Sequence, residues 1–538
     1  MKKLLAILLA VVMVVGLFAG CTTGATGGEL NWNIGSAGPK TIDPSLCGAS
    51  DGGDVINQTF EGLIREKSGV VQPGIAKTWE VSEDGKTLTF ELRRSKWSDG
   101  SKLTAQDFVY GWLRSMDPEV ASEYSWLWEY TNVAGAWDYV SGEGTREQVG
   151  IKAVNDYTFE VTLTQPTDYL VSLMSFYTFM PIKQSAAEAV GGEEGLWAST
   201  PALVVSNGPF VLTEYTIGEG LRLEANENYW NKKETGLSAI NGKFIDDENT
   251  AYQAYLAGEL DFIPSVPTAE VPKLIAEDPN FYVFPLLGTY YYNFNMDLEI
   301  WADARVRRAM AMAIDREVIC DTLAAGQVPA GGFIPPGFLD ADGNDFFETA
   351  GMYGLATDDS KVADAQALMA EAGYPNGEGF PEFVMMYNTS EGHQTVAELM
   401  QEMFKTNLGI TCTLENQEWA VFQDTRTQGD YELSRGGWLT DFMDPVGMLG
   451  IFKNLDVAYN DPNYYNPEFE QLLNDAGSAT SPKAHFDALY AAQTVFMNDM
   501  PVIPVYHYSD TMLASNKVEG WDRSVLGSVD FSTATIGE

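Results

Sequence analysis

The chain has 538 residues, of which 45% are hydrophobic, and it carries a formal net charge of −44. This length exceeds one ordinary hydrophobic core and predicts two or three globular domains. The charge argues against nucleic acid as a partner, because phosphate binding needs clustered Lys and Arg, and it disfavours docking of the folded domains onto anionic lipid.

The N-terminus has the organisation of a bacterial lipoprotein signal. A basic Met1–Lys3 precedes the apolar run Leu4–Phe18, which is too short for a comfortable membrane span. Small residues then stand directly before Cys21 and resemble a lipobox, although Phe18 occupies a place where Leu is commoner. The resemblance implies a cleaved signal peptide (1–20), lipidation of Cys21 and an extracytoplasmic protein anchored to the cell membrane. The alternative is an ordinary secretory signal with an incidental cysteine.

Strand-like and helix-like patterns alternate along the rest of the chain, which predicts mixed α/β domains. Apolar residues at every second position of 87–93 predict a half-buried strand. Thr104 and Asp107 have the spacing of a capping box and predict the start of a helix. Later periodic segments predict strands over 157–163 and 410–414 and helices over 360–372 and 396–404.

The sequence lacks the compact motifs of metal and nucleophile chemistry. It has three histidines and contains no H-E-x-x-H, no zinc-type Cys/His spacing, no phosphate loop and no G-x-S-x-G elbow. We therefore expect no catalytic residue, no metal and no other cofactor. The 76 acidic residues leave one enzyme alternative open, a secreted glycoside hydrolase that uses paired carboxylates.

Three cysteines follow Cys21, namely Cys47, Cys320 and Cys412, and they are far apart in the sequence. An odd number cannot all pair within the chain, so we interpret them mainly as buried free thiols. One disulfide of unassigned pairing is the alternative.

A long ordered stretch resembles the signature of the family 5 extracellular solute-binding proteins. It comprises Ala76–Glu80, Glu83–Arg93, Lys96–Gly100 and Leu103–Val109. Shorter matching segments are Thr41–Pro44, Phe60–Leu63, Ser206–Phe210, Tyr229–Trp230 and Gly258–Asp261. The resemblance extends over essentially the whole mature chain, and the length of the signature makes it highly specific.

Further segments resemble the oligopeptide-binding subgroup of bacterial peptide ABC importers. They are Arg114–Pro118, Ala121–Tyr124, Thr289–Tyr292, Tyr387–Ser390 with His393, Asn416–Trp419 with Asp424–Arg426, and Arg435–Trp438 with Asp441. The resemblance implies a binding protein, not an enzyme, that captures peptides and delivers them to the permease subunits of an ABC transporter. We expect a monomer. A peptide-pheromone receptor of the same fold would share the site and is the alternative within this class.

The resemblance also implies the architecture. The expected fold is an α/β fold of the periplasmic-binding-protein type, in which two lobes enclose the ligand and a third domain is added. The implied divisions are lobe I in three pieces (21–59, 184–287 and 509–538), domain II (60–183) and lobe III (288–508), and these names are kept below.

The charged site residues are carried over from the same resemblance. Asp441 matches the acceptor for the peptide ammonium, with Asp444 as its nearest rival, and a buried ammonium needs a paired charge. Arg426, Arg435 and His393 match groups that meet the carboxylate of peptides of different lengths. The arginine fork can bind a carboxylate through two hydrogen bonds, whereas His393 offers charge only when it is protonated.

The peptide backbone would lie between two stretches of the chain as an added strand. These stretches are Gly48-Ala49-Ser50 in lobe I and Gly437-Trp438-Leu439 in lobe III. The resemblance makes Tyr124, Trp419 and Tyr508 walls of pockets for peptide side chains. Family members often carry an acid where Gly48 stands, so we expect that side-chain contact to be lost. Close relatives also pair two cysteines where this chain has Gly288 and Leu439, so we expect no such crosslink.

Overall fold

A computed structural model describes residues 27–537, with gaps at 36–37, 68–69, 168, 190–194, 480 and 525. The signal peptide and Cys21 lie outside the described residues, so the lipid anchor stays a prediction. Among the residues that the structure describes, no helix combines the length and the apolar character needed to cross a bilayer.

Strands and helices alternate along the described chain. The strands are β1 (Gly28–Asn33), β2 (Ile64–Lys67), β3 (Val70–Pro73), β4 (Ala76–Val81), β5 (Thr87–Leu92), β6 (Ile151–Asn155), β7 (Thr158–Thr162), β8 (Phe210–Thr216), β9 (Gly220–Ala225), β10 (Leu237–Lys243), β11 (Phe262–Ile263), β12 (Phe281–Phe294), β13 (Val328–Pro329), β14 (Phe383–Asn388), β15 (Cys412–Gln417), β16 (Leu433–Leu439), β17 (Val502–Ala514), β18 (Val518–Glu519), β19 (Asp522–Arg523), β20 (Val529–Asp530) and β21 (Thr535–Ile536). The α-helices are α1 (Ser50–Thr59), α2 (Ala105–Met116), α3 (Leu127–Tyr130), α4 (Ala136–Val140), α5 (Leu170–Leu173), α6 (Gln184–Ala187), α7 (Glu248–Leu256), α8 (Val271–Glu277), α9 (Ala304–Met312), α10 (Arg316–Leu323), α11 (Phe346–Ala350), α12 (Val362–Glu371), α13 (Glu391–Met403), α14 (Trp419–Thr427), α15 (Val446–Leu449), α16 (Pro467–Gly477) and α17 (Pro482–Asp499).

The elements predicted from local signals are confirmed. Strands β5, β7 and β15 lie within or overlap the alternating segments. Helix α2 begins after Thr104, whose backbone N–H and hydroxyl both donate to the Asp107 carboxylate, at 2.7 and 3.0 Å. Helix α12 ends shortly before Gly373, and α13 continues through a π-helical turn to Gly409. Both glycines have a positive φ, at 102° and 71°, a conformation that favours glycine.

One large sheet runs through both lobes. Its strand order is β15-β14-β16-β12-β17-β11-β1-β10-β9-β8, and β13 pairs with β17 beside this path. The two long antiparallel strands β12 and β17 join the lobe III strands to the lobe I strands. Their register is irregular between Pro285 and Thr289 and again between Tyr290 and Tyr291. The regular pairing of these two strands is thus interrupted at both places.

Domain II has a separate four-stranded sheet of order β4-β5-β7-β6. Helix α2 packs on it through Trp112, whose ring lies edge-on to Phe159 and Phe179 at 5.0 and 5.3 Å. The indole N–H of Trp112 donates to the Phe179 carbonyl oxygen at 2.8 Å, so its only polar group is satisfied in the core. The exact residues at which the lobes and domain II divide stay a prediction.

Cys47, Cys320 and Cys412 are buried free thiols, as predicted. Burial raises the pKa of each thiol to about 12. A thiol that stays protonated is a weak nucleophile, so these cysteines serve packing.

Candidate functional site between the lobes

A cavity of about 390 Å³ lies where lobe I, domain II and lobe III meet. Eleven of the thirteen predicted ligand contacts line it: Gly48, Ala49, Ser50, Tyr124, Trp419, Arg426, Arg435, Gly437, Trp438, Leu439 and Asp441. The other two, His393 and Tyr508, lie behind its wall beside Tyr290 and Arg435. The fold therefore brings together residues that are hundreds of positions apart in the sequence.

The strand β16 presents a backbone edge to this cavity. Strand β12 pairs with β16 over its whole length from Leu433 to Leu439, whereas β14 reaches only Leu433 and Ser434 on the other edge. Among the described residues, no strand covers that second edge over 435–439. Ala49, on another part of the wall, is extended before α1 begins. An uncovered edge can accept an extended peptide through main-chain hydrogen bonds.

Gly288 and Leu439 face each other across β12 and β16 as register partners. A Cβ atom on Gly288 would lie 2.6 Å from a methyl carbon of Leu439. The two positions are thus adjacent in space, and here they hold an apolar contact without a disulfide.

Asp441 is a buried carboxylate with an unused oxygen. Its side chain follows β16 and the residue is 6% exposed. The Tyr124 hydroxyl donates to Oδ1 at 3.4 Å, whereas Oδ2 is buried and has no hydrogen-bond partner among the residues that the structure describes. Burial raises the pKa of Asp441 well above its ordinary value, and the hydrogen bond from Tyr124 opposes this only in part. A cationic ligand would stabilise this carboxylate by supplying the missing partner.

Asp444, the rival for this role, already has partners. Its carboxylate lies 3.0 Å from Nε2 of His485 and accepts a hydrogen bond from the Val446 backbone N–H at 2.9 Å. Asp444 does not belong to the cavity wall. The geometry therefore favours Asp441.

Arg435 is a half-buried cation without an acidic partner among the described residues. Its Nη2 donates to the Tyr508 hydroxyl at 2.7 Å, and Nη1 donates to the side-chain oxygen of Asn388 at 3.4 Å. The guanidinium also lies 5.0 Å from the ring centre of Tyr290, and its Nε is a buried atom without a hydrogen-bond partner in the described part of the chain. None of the salt bridges in the described part of the chain involves Arg435.

His393 lies beside the same tyrosine, with its ring 5.5 Å from that of Tyr290. Burial, and then repulsion by Arg435, lowers the pKa of His393 well below its ordinary value. The imidazole is therefore neutral and can donate one hydrogen bond to a ligand without offering charge.

Arg426 differs from Arg435 because it already has a partner. Its Nε lies 3.0 Å from a carboxylate oxygen of Asp461, and both side chains are largely buried. Burial raises the pKa of Asp461, while the charge of Arg426 opposes that shift. The charge of Arg426 is thus balanced within lobe III before any ligand binds.

A family comparison decides what class of site this is. The model of the bacterial extracellular solute-binding proteins, family 5 Middle, matches residues 70–460. The chain belongs to this family. Oligopeptide-binding protein OppA of Bacillus subtilis is 36% identical over 518 residues, which cover 94% of this chain and 92% of that relative. The family and its peptide-binding members confirm a binding protein and give no support to a glycoside hydrolase.

Solved family 5 structures confirm the two-lobe fold and show how far the lobes are closed. OppA of Haemophilus influenzae in complex with RPPGFSPFR has a TM-score of 0.86 at 31% identity, covering 95% of this chain and 99% of that one. The murein tripeptide binding protein MppA of Escherichia coli has a TM-score of 0.87 at 31% identity, covering 96% and 99%. An MppA structure in its unliganded open form reaches only 0.64 at 32% identity, covering 95% and 98%. The sequence identities of these three structures to the present chain are alike, so the lower TM-score of the open form reflects its open lobes. The lobes of the present chain are therefore closed.

Contacts between the lobes agree with closure. The Tyr459 hydroxyl of lobe III donates to the Gly48 carbonyl oxygen of lobe I at 3.0 Å. Domain II contacts lobe III through the hydrogen bond from the Tyr124 hydroxyl to Asp441 and through the ion pair between Glu129 and Lys453.

The aromatic wall is larger than the sequence indicated. Tyr124 packs against Tyr459 at 5.3 Å, Phe176 at 4.7 Å and Tyr177 at 5.7 Å. Trp419 stacks on Phe422 at 6.1 Å. Tyr459, Phe176 and Tyr177 were not predicted, because they stand in a turn and at the start of a short 3-10 helix, where the sequence has no periodic or motif signal. The described residues contain no group of three or more side chains suited to hold a metal ion.

Proposed function

We propose that this chain is an extracytoplasmic lipoprotein that captures oligopeptides and delivers them to the permease subunits of an ABC transporter. The observation that carries the proposal is that the buried Asp441 and the half-buried Arg435 have no ionic partner among the described residues and line one closed cavity. A peptide has an ammonium at one end and a carboxylate at the other, so one ligand supplies both missing partners. A neutral glycan supplies neither charge, and a metal cation supplies only one.

The backbone of the peptide would be held by strand addition. The free edge of 435–439 would pair with it on one side, and the extended Ala49 with its neighbour Gly48 would contact it on the other. Such bonds do not depend on side-chain identity, which suits a carrier of varied peptides. His393 would donate a neutral hydrogen bond, and Arg426 would meet a carboxylate while still shared with Asp461.

Release would follow from opening of the lobes. The irregular β12–β17 ladder near Pro285 is the proposed hinge between lobe I and lobe III. Small-angle scattering of the ligand-free and peptide-saturated protein should show a smaller radius of gyration on saturation. An unchanged radius would contradict closure on the ligand.

Calorimetry with tetra-alanine tests the proposed function directly. The purified mature protein is first stripped of co-purified ligand, which native mass spectrometry can verify and weigh. Tetra-alanine should bind, and both its N-acetylated form and its C-terminal amide should bind more weakly, because each lacks one terminal charge. If all three bind equally, the buried charges do not hold the peptide ends, and if none binds, the chain is not a general peptide carrier.

The lipid anchor rests on the sequence alone. Cys21→Ala should release the protein from membranes or block its processing, because the thiol is the only attachment point for lipid in the proposed signal. Membrane fractionation measures this, and a variant that matures normally and stays with the membrane would show that the anchor lies elsewhere.

A further inference from the structure

Three parts of the molecule meet at the hydroxyl of Tyr459. This lobe III hydroxyl donates to the Gly48 carbonyl oxygen of lobe I at 3.0 Å and lies 3.4 Å from Oε2 of Glu123 in domain II. All three residues line the cavity. Glu123 therefore extends a carboxylate from domain II to the ligand side of the lobe I–lobe III junction.

The absence of a side chain at Gly48 makes room for this carboxylate. A Cβ atom at Gly48 would lie 1.9 Å from Oε2 and 2.8 Å from Cδ of Glu123, and 2.9 Å from the Tyr459 hydroxyl. A side chain at position 48 and the Glu123 carboxylate cannot occupy this place together. The Glu123 carboxylate, which comes from another domain, thus lies where the first atom of a side chain at position 48 would stand.

Glu123 has no cationic partner among the described residues, although other charges of the cavity wall do. Lys40 pairs with Asp424, Arg65 with Asp530 and Arg426 with Asp461. Eight acids and only four bases line the cavity, so its potential favours a cationic ligand group over an anionic one.

The position of Glu123 indicates which part of a peptide it meets. Its neighbour Tyr124 donates to Asp441, and the rings of Tyr124 and Tyr459 are 5.3 Å apart. Two tyrosines therefore connect the two carboxylates, which places Glu123 near the proposed site of the peptide ammonium.

We propose that Glu123 is a specificity-determining residue that selects peptides with a Lys or Arg side chain at the first or second position. The proposal rests on the proposed peptide-binding function, in which Asp441 holds the N-terminal ammonium. Glu123, an exposed side chain on the cavity wall, then receives the nearby side-chain cation through a charge-assisted hydrogen bond.

Calorimetry with four peptides and three controls tests this role. The four peptides are tetra-alanine and its variants with Lys at position one, two or four. The control for each Lys peptide has norleucine at the same position, which keeps the aliphatic stem and lacks the charge. Lys at position one or two should improve affinity about tenfold over norleucine, which corresponds to about 1.4 kcal/mol. Glu123→Gln should abolish this preference, whereas Glu119→Gln, which removes an exposed acid outside the cavity wall, should keep it.

Gly48→Ala provides a second variant, because the added Cβ must displace the Glu123 carboxylate. This variant should also lose the preference for Lys peptides. If the preference survives in Glu123→Gln, or follows Lys equally at position four, Glu123 does not select the ligand, although tetra-alanine binding would still support a peptide carrier. If tetra-alanine and all Lys peptides fail to bind the unmutated protein, the proposed function fails and the role of Glu123 with it.

Discussion

Two regions of the cavity wall hold buried charge in different ways. In one region, Arg65 lies 3.3 Å from Glu61 and 3.2 Å from Asp530, so its charge is balanced inside the protein. In the other, Asp441 is buried and Arg435 is half-buried, and neither has an ionic partner in the described part of the chain. Burial alone does not separate the regions. The difference is whether the fold supplies the opposite charge or leaves it to a ligand.

The energetic consequences of the two arrangements differ. A buried pair offsets much of the desolvation cost of its two ions, so removing one partner destabilises the fold. A buried charge without a partner costs folding free energy in the empty protein and recovers it only when a ligand binds. Lobe III contains both arrangements, since Arg426 is paired with Asp461 and Arg435 is not. Substitutions within this one lobe can therefore test the comparison.

The largest expected effect is on stability, in Asp461→Asn. This change leaves the guanidinium of Arg426 largely buried without its carboxylate, so the free energy of unfolding should fall by about 3 kcal/mol. Asp424→Asn is the matched control, because Asp424 pairs with Lys40 at the surface with both side chains about two-thirds exposed. Its effect should stay within about 0.5 kcal/mol. Urea denaturation measures both, and equal losses would remove the distinction between the pairs.

Asp441→Asn should behave in the opposite way. It removes a buried carboxylate that lacks a partner, so the empty protein should be as stable as before or more stable, while the affinity for tetra-alanine falls. Removing one partner of a buried ligand ion pair costs about 2–5 kcal/mol, which is about thirtyfold or more in Kd. Calorimetry and denaturation of the same sample check both halves. A stability loss like that of Asp461→Asn would show that Asp441 has a structural role.

The same contrast explains what the sequence could predict. Arg435, Gly437–Leu439 and Asp441 are close together along the chain, so a motif resemblance located them and the structure places them on one strand and its exit. The local helix and strand signals also gave correct elements, because capping and periodicity act over few residues. Asp461 and Tyr459 reach the site from a loop without such a signal. Glu123 was visible only as part of a motif around Tyr124, and its position depends on how domain II packs against lobe I.

Arg435→Gln tests the other unpaired charge and should have a smaller effect. The variant keeps hydrogen-bonding capacity but loses the cation, so tetra-alanine should bind about tenfold more weakly, since hydrogen bonds to charged groups contribute about 1.5–3 kcal/mol. The C-terminal amide of tetra-alanine lacks the same interaction from the ligand side. The losses from the variant and from the amide should therefore not add in a double-mutant-style cycle. Additive losses would show that Arg435 does not contact the peptide carboxylate.

Two histidines extend the comparison to groups that titrate near neutral pH. His507 is 1% exposed and its Nδ1 lies 2.8 Å from the Thr289 hydroxyl, whereas its buried Nε2 has no hydrogen-bond partner within the described residues. Burial, and then the charge of Arg316, lowers the pKa of His507 to about 3. His485 is the paired counterpart: burial lowers its pKa, but the hydrogen bond and charge of Asp444 outweigh burial and raise the pKa above its ordinary value.

These opposite shifts predict opposite pH dependences. Below about pH 6.5 His507 is protonated in the unfolded chain and stays neutral in the folded protein. This group should therefore lower the free energy of unfolding by about 2 kcal/mol as the pH falls from 7.5 to 5. His507→Gln should therefore lose less stability over that interval than the unmutated protein. The contribution of His485 is present below the unfolded pKa and is lost as pH rises through the folded pKa, so His485→Gln should lose more stability at pH 5 than at pH 7.5. Urea midpoints at both pH values measure these differences. His485 has an ionic partner in Asp444, and His507 has none among the described residues. If the urea midpoints of the two variants changed equally with pH, this difference would not determine how the two histidines titrate.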